Sequence, residues 1–232
     1  MSKAAQPDYR TYARVDMFPG VSDCGLLKIA ELARVRRLLP RTRVFSQGDG
    51  EVRGHVVLEG AINIVQSGSD GAQTVMRIAG PGQAFGIVAM FTDRRYLADA
   101  ITMSETLEAS WSEAEFHDLL GFHPEIAVNL VRVIGRGLQE MQERVRELAT
   151  RSVEGRVASS ILRLAEQTGN STSAGTKLGI PLRRKDIADI AGTTLHTASR
   201  LLSAWEKAGL ITNGKRILTL VRVPELRAIA EG

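Results

Sequence analysis

The residues with the clearest chemical potential lie together near the carboxyl end of the chain, within residues 194–207. Thr194 is a favourable helix N-cap, and the residues after it recur at helical spacing. The predicted helix buries an apolar face made of Ala198, Leu201, Leu202 and Trp205. The first two turns of a recognition helix reach base edges in the major groove. We therefore expect base contacts from Leu195, His196, Ser199 and Arg200.

The segment before this helix predicts the element that positions it. Residues 186–191 indicate a short helix with Ile187 and Ile190 facing inward. Ala188 is small enough for a second helix to cross closely, and Gly192 permits a left-handed turn between the two helices. The pattern is typical of a helix-turn-helix. A two-helix packing unit in another helical protein would share the apolar spacing but would not need the exposed serine and arginine.

Basic residues surround this unit and are suited to contacting DNA phosphates. Asn213-Gly214 predicts the tip of a β-hairpin, the wing, followed by a lysine and an arginine. Residues 151–232 carry 13 basic and 7 acidic side chains, whereas the rest of the chain carries 17 basic and 19 acidic. Positive charge is therefore concentrated where a polyanion is expected. The candidate phosphate contacts are Arg183, Arg184, Lys185, Thr194, Lys215 and Arg216.

A long amphipathic helix is predicted over residues 124–151, beginning at Pro124. Its apolar residues are spaced alternately four and three apart, which is the a/d seam of a coiled coil. Such a narrow seam indicates a parallel homodimer, and packing onto the chain's own strands is the alternative. The seam consists of Val131, Ile134, Leu138, Met141, Val145 and Leu148.

The amino-terminal half is expected to be a β jelly roll. Glycines punctuate short apolar runs between about residues 43 and 111, and Ser69-Asp70-Gly71 is a hairpin signal. Residues 26–35 have helical spacing, and Pro40 ends that segment. The prediction is an α+β chain with a sensor domain over 1–123, a dimerisation helix over 124–151 and a winged helix-turn-helix domain over 152–232.

Composition excludes several kinds of site. Cys24 is the only cysteine, so neither a disulfide within the chain nor a cysteine-ligated cluster can form. Oxidation of Cys24 remains open. The four histidines lack metal-ligand spacing, so no metal site is expected. Neither a signal peptide nor an apolar run long enough to span a membrane is apparent, which favours a cytoplasmic protein without membrane partners.

The run His196-Thr197-Ala198-Ser199-Arg200 resembles the recognition helix of the cyclic-AMP receptor protein and fumarate–nitrate regulator superfamily. The resemblance covers nearly the whole chain and implies a jelly-roll sensor, a long dimer helix and a winged helix-turn-helix. It implies that Arg200 reads guanine through O6 and N7, and that Arg184 contacts phosphate. His196 departs from the family's usual glutamate, which leaves the base preference at that position open.

The same resemblance draws attention to Phe85-Gly86-Ile87 and Tyr96-Leu97-Ala98. Family members that bind cyclic AMP have a glutamate at the place of Ile87 and an arginine in the second motif. This chain lacks both and is expected not to bind a cyclic nucleotide in the usual way. The possible effector pocket comprises Phe85, Gly86, Ile87, Arg94 and Arg95. The iron–sulfur branch is excluded, because it needs four cysteine ligands.

These observations predict a homodimeric transcription regulator that reads a palindromic site in double-stranded DNA and is controlled through its jelly roll. Activation through RNA polymerase is the family default. No cofactor is required, although a haem could use His55, His117 or His123 as an axial ligand. A regulatory subunit that binds a small ligand and acts on a protein partner is the alternative. An enzyme would need a histidine–carboxylate cluster in the barrel, where only His55 lies in the strand region.

Overall fold

The structure is a computed structural model that describes residues 7–68, 73–214 and 217–232. Short 3-10 helices cover Tyr9–Arg14 and Ile87–Phe91. The other elements, in chain order, are α1 (Asp23–Leu32), β1 (Arg34–Leu38), β2 (Arg43–Phe45), β3 (Arg53–Glu59), β4 (Ile62–Ser67), β5 (Gln73–Ala79), β6 (Ala84–Phe85), β7 (Asp99–Thr102), β8 (Thr106–Ser112), α2 (Glu113–Phe122), α3 (Pro124–Thr150), α4 (Val153–Thr168), β9 (Gly169–Thr172), β10 (Gly175–Leu178), α5 (Arg184–Ala191), α6 (Leu195–Lys207), β11 (Ile211–Gly214), β12 (Ile217–Leu220) and α7 (Val223–Glu231).

The amino-terminal half contains the predicted antiparallel β-roll. One sheet has the strand order β1-β8-β3-β6, and the other has the order β2-β7-β4-β5. The core of this half is built around Trp111, whose ring contacts Tyr12 and Phe18 edge-on at centroid distances of 6.0 and 5.6 Å. Its indole N–H donates to the carbonyl of Ile29 at 3.0 Å. The short apolar runs therefore form strands because they can bury side chains on a shared core.

The predicted helix over residues 26–35 is too long at its carboxyl end. Helix α1 ends at Leu32, and β1 begins at Arg34 and pairs antiparallel with β8. Val35 satisfies both a helical and an alternating apolar pattern, and tertiary pairing decides between them. In the strand it is 1% exposed and belongs to the core. The hairpin turn predicted at residues 69–71 lies outside the described residues.

Helix α3 confirms the predicted long helix, and α4 follows it directly. Ser152 separates them, because its hydroxyl accepts the backbone N–H of Gly155 and caps α4. The sheet of the carboxyl-terminal half has the strand order β11-β12-β10-β9. Helix α7 is an element that the sequence reasoning missed. Pro224 in its first turn, with Leu226 and Ala230 buried at helical spacing, is the signal that could have found it.

Contacts divide the chain into two compact units. One comprises residues up to 67 together with 77–139, and the other comprises 68–76 together with 140–232. The division falls within α3. The expected domain limits at 123/124 and 151/152 therefore stay a prediction.

Candidate nucleic-acid interface

The helix-turn-helix is formed by α5, the turn at Gly192 and α6. Gly192 has φ 61° and ψ 48°, the left-handed conformation expected at this turn. The hydroxyl of Thr194 accepts the backbone N–H of Thr197 at 3.1 Å and so caps α6. Asp186 accepts the backbone N–H of Arg183 at 2.7 Å at the start of α5. These local bonds cap the two helices and fix where each begins.

The buried face of α6 is the one predicted from the sequence. Ala198, Leu201, Leu202 and Trp205 are all less than 10% exposed. Ala188 on α5 is 1% exposed, in keeping with a small residue where two helices cross. The indole N–H of Trp205 donates to Glu154 of α4 at 3.1 Å. The recognition helix is thus held against both α5 and α4.

The opposite edge of α6 is open to solvent. Leu195 is 51% exposed, His196 and Arg200 are exposed, and Ser199 is half-buried. The structure therefore places these four predicted base-reading residues away from the buried face and within the first two turns. Within the part of the chain that the structure describes, the Arg200 guanidinium has no hydrogen-bond acceptor. Its donors are free for an external acceptor such as a guanine edge.

The residues predicted to contact phosphate differ in whether their side chains already bond to other residues of the chain. Arg183 is bonded to Asp186, which raises the pKa of Arg183, and Lys185 pairs with Asp189 at 3.1 Å on the surface. Arg184 turns back onto α6, where it donates to the Ser199 carbonyl and the Ser203 hydroxyl at 3.0 and 2.7 Å. Its guanidinium therefore ties α5 to α6 through Nη1, and its phosphate contact stays a prediction.

Arg156 is a positioning residue that sequence reasoning missed. From α4 it donates to the carbonyls of Ala191 and Gly192 at 3.2 and 3.3 Å, which fixes the turn before α6. It lies 35 residues from Ala191. The local pattern around Arg156 is that of an ordinary amphipathic helix, so it gives no signal of this contact.

The wing differs from the prediction in its turn. The register of β11 and β12 pairs Gly214 with Ile217, so Asn213 and Gly214 belong to the strand and not to the tip. The expected place of Asn213-Gly214 at the tip was therefore wrong. An Asn-Gly pair is compatible with a turn, but the pairing of Ile211 with Leu220 sets the register. Lys215 and Arg216 lie outside the described residues, and their phosphate contacts stay a prediction.

The predicted seam of α3 is exposed along the helix. Its six residues are between 47% and 71% exposed, with Val131 the most exposed and Ile134 the least. Three of them, Met141, Val145 and Leu148, belong to the same compact unit as the helix-turn-helix. Exposure of this regularity is unusual, because apolar residues at helical spacing normally face a core.

The residues of the possible effector pocket lie at different places in the β-roll. Phe85 and Ile87 are buried, and Gly86 has φ 71° with the rings of Phe45, His55 and Tyr96 against it. Arg94 pairs with Glu113 on the surface, and Arg95 donates to the carbonyl of Gly48. The two arginines are therefore engaged elsewhere, and their role in an effector pocket stays a prediction.

The histidines that could serve as haem ligands are placed differently. His55 is 2% exposed, and both of its ring nitrogens are engaged, by Glu108 at 2.5 Å and by Tyr96 at 2.9 Å. His117 and His123 lie beside Glu113 and Glu125. Cys24 is exposed on α1. Among the described residues, no group of three or more candidate ligands could hold a metal ion. No helix in the described ranges is long and apolar enough to cross a membrane.

Fold and site together define a protein with a β-roll domain and a winged helix-turn-helix. The family model for the Crp-like helix-turn-helix domain matches residues 155–229, and that for the cyclic nucleotide-binding domain matches residues 35–121. Both ranges agree with the observed folds.

Known relatives place the chain more narrowly. It is 31% identical over 176 residues to the nitrogen fixation regulation protein FixK of Azorhizobium caulinodans, covering 74% of this chain and 70% of that one. It is 25% identical over 207 residues to a CRP-like cAMP-activated global transcriptional regulator of Mycobacterium tuberculosis, covering 89% and 92%. The structure of FixK2 from Bradyrhizobium japonicum superposes with a TM-score of 0.75 at 20% identity, covering 85% and 96%. The chain belongs to the CRP/FNR family of transcription regulators.

Proposed function

We propose that this regulator works as a homodimer that reads a two-fold symmetric DNA site through the exposed edge of α6. The open edge of α6 carries the proposal, because Arg200 there lacks an acceptor among the described residues while the opposite face is fixed in the core. Arg200 would read guanine, Ser199 and Leu195 would contact neighbouring base edges, and His196 would set the preference where the family usually has glutamate. Lys185 and the wing residues Lys215 and Arg216 would anchor phosphates.

The dimer would form through the α3 seam. Full burial of each apolar side chain contributes about 1.5–3 kcal/mol, and the six seam residues are all roughly half or more exposed in the single chain. A second α3 helix with the same seam would cover them in a parallel coiled coil. Two recognition helices held by such a dimer would enter major grooves about 34 Å apart, which requires a near-palindromic site.

We further propose that the β-roll controls DNA binding without a cyclic nucleotide held in the usual way. Ile87 cannot accept a hydrogen bond from ribose hydroxyls, and Tyr96 carries no positive charge for a cyclic phosphate. The hydroxyl of Tyr96 is engaged with the backbone of Arg53 and with His55. Calorimetric titration with cyclic AMP tests this point, and tight binding would contradict it. As an activator, the dimer would contact RNA polymerase from a site upstream of the promoter.

Selection of binding sites from a random DNA pool tests the proposed function. The full chain should recover a two-fold symmetric motif, and Arg200→Ala should recover the same spacing with less information at one position of each half-site. Leu27→Ala, at an exposed apolar residue of α1, is a matched control that should leave the motif unchanged. If selection recovers no motif with the full chain, with or without added haem, the DNA-reading proposal fails. A role as a regulatory subunit for a protein partner would then follow.

A further inference from the structure

The β-roll contains a cavity that the proposed function does not use. Its volume is about 360 Å³, and its lining comes from β1, β2, β3 and the segments after β2 and before β7. The lining residues are Arg34, Arg36, Val44, Phe45, Asp49, Gly50, Glu51, Arg53, His55 and Tyr96. Ile87, Arg94 and Arg95 do not line it. The cavity adjoins the expected effector pocket, because the rings of Phe45, His55 and Tyr96 lie between Gly86 and the cavity, but its charged lining comes from other residues.

The sheet register explains why so many charged side chains meet here. Ser110 of β8 pairs with Arg34 of β1 on one side and with His55 of β3 on the other, and Arg36 pairs with Glu108. Because successive side chains of a strand point to opposite faces, these residues share one face of the sheet. The other face carries residues such as Val35, Ala109 and Val56, each no more than 1% exposed in the core. One face of the sheet is apolar, and the other is polar although it is largely buried.

A buried network holds the floor of this cavity in place. His55 bonds to Glu108 at 2.5 Å, and the Nε of Arg36 donates to the other oxygen of Glu108 at 2.9 Å. Burial raises the pKa of Glu108, but His55 and Arg36 outweigh it, so the pKa lies below its usual value. Burial also lowers the pKa of His55. A neutral His55 therefore donates to an ionised Glu108 and accepts the hydroxyl of Tyr96.

Besides the exposed Arg34, two partly buried guanidinium groups in the cavity retain unused donors. Arg36 has a side chain 15% exposed and uses only its Nε, so both terminal nitrogens have no acceptor among the described residues. Arg53, 20% exposed, uses Nε and Nη2 on Ser110 and Glu115 and leaves Nη1 free within those same residues. A fixed, partly buried guanidinium with free N–H groups is a strong site for a carboxylate or phosphate.

The remaining walls limit the size and charge of a ligand. The rings of Phe45 and Tyr96 stack at a centroid distance of 3.6 Å and form a flat apolar wall. Asp49 and Glu51 are exposed at the rim, where they repel an anion that extends negative charge outward. We propose that this cavity binds a small organic anion, with one carboxylate or phosphate group on Arg36 and Arg53 and an apolar body against Phe45.

Calorimetric titration of the full chain tests the site with three probes: benzoate, succinate and inorganic phosphate. Benzoate combines a single carboxylate with a flat apolar body and should bind most tightly, with a dissociation constant near or below about 1 mM. Phosphate tests whether a phosphoryl group is the better anchor, and succinate tests the repulsion at the rim. Arg53→Gln and Arg36→Lys should each weaken benzoate at least about tenfold, because each removes part of the guanidinium fork.

Arg37→Gln is the matched control, since Arg37 lies on the same strand but pairs with Glu105 and Glu59 outside the cavity. It should leave the affinity unchanged. Thermal unfolding of each variant establishes that it is folded, and Val44→Phe, which fills the cavity without altering charge, should also abolish binding. The proposal is overturned if none of the three probes binds at about 10 mM, or if binding survives Arg53→Gln, Arg36→Lys and Val44→Phe alike. The DNA-site selection is a separate measurement, so either proposal can fail alone.

Discussion

The pH dependence of stability should depend on His55, because this histidine is held neutral inside the β-roll. The charged and titratable groups around it are Glu108 of β8, Arg36 of β1, Arg53 of β3 and Tyr96. Burial lowers the pKa of His55 below its ordinary value of 6.5 despite the favourable effect of Glu108. Replacing His55 with asparagine removes the titrating group while keeping a side-chain N–H for Glu108.

The sign follows from which state takes up the proton. As pH falls below 6.5, the unfolded chain protonates His55, whereas the folded chain takes up this proton only at its lower folded-state pKa. The contribution of neutral His55 to the free energy of unfolding is fully present above pH 6.5. It is lost as pH falls from 6.5 through the folded-state pKa of His55. For one proton the free energy of unfolding changes by at most about 1.4 kcal/mol per pH unit. Glu108, whose pKa is also lowered, loses its contribution only below pH 4.5, so the range between pH 6.5 and pH 4.5 reports His55.

Urea unfolding followed by the emission of Trp111 measures this effect. Trp111 lies in the same compact unit as His55, and a Trp205→Phe background removes the signal of the other unit. The free energy of unfolding of the wild type minus that of His55→Asn should decrease as pH falls from about 6.5 to about 5. Above pH 6.5 it should stay constant at about 0.5–1.5 kcal/mol, the net loss of the hydrogen bond between the Tyr96 hydroxyl and His55, since the hydroxyl keeps the Arg53 carbonyl as an acceptor. A difference that is flat below pH 6.5, or that grows in favour of the wild type, would show that His55 is not held neutral.

Three further results are expected. Arg200→Ala should reduce the preference for the selected site over random DNA by about 1–3 kcal/mol in fluorescence anisotropy, whereas Lys185→Ala should weaken both DNAs equally and flatten the salt dependence. Leu138→Ala should raise the dimer dissociation constant about 30-fold in analytical ultracentrifugation, because about half of each leucine remains to be buried, or about 2 kcal/mol for the two chains. Gly192→Ala should cost about 1–2 kcal/mol in thermal unfolding for its left-handed backbone, and more for the added Cβ at 3.3 Å from Leu148.

Each of these three predictions has a control variant or a result that would contradict it. Equal losses on selected and random DNA for Arg200→Ala would remove its base-reading role. Gln139→Ala lies off the seam on the same helix and should leave the dimer intact. An unchanged dimer dissociation constant for Leu138→Ala would exclude the seam as the dimer interface. Gly209→Ala has a φ of +70° but an open surrounding, so it should show the backbone cost alone. A cost for Gly192→Ala below that for Gly209→Ala would contradict the contact with Leu148.

Local patterns in the sequence determined the helix-turn-helix, the long helix and the β-rich character of the amino-terminal half. Gly192, Thr194 and the apolar spacing after them act within one or two turns of helix, so their effects can be derived without knowing the rest of the fold. The a/d spacing of α3 is equally local. Helix α7 was missed although its signals are local, because a proline followed by only two apolar positions is a weak pattern.

Tertiary pairing decided what local patterns leave ambiguous. Val35 fits both a helix and a strand, and the pairing of β1 with β8 selects the strand. Asn213 and Gly214 belong to β11 because the sheet fixes the register from Ile211 onward. Arg184 reads as a free basic side chain, yet its position over α6 directs it to the Ser199 carbonyl and to Ser203.

The polar cluster of the β-roll depends entirely on the tertiary structure. His55 and Glu108 are 53 residues apart in sequence, and Arg36 and Glu108 are 72 apart. No periodicity within a strand reveals which distant strand will lie beside it, and each of these residues alone reads as an ordinary surface group. Burial then changes their chemistry, because removal from water lowers the pKa of His55, while His55 and Arg36 lower the pKa of Glu108 despite its burial. The helix-turn-helix therefore follows from the sequence alone, whereas the folded sheet decides which charged groups meet around the cavity of the β-roll.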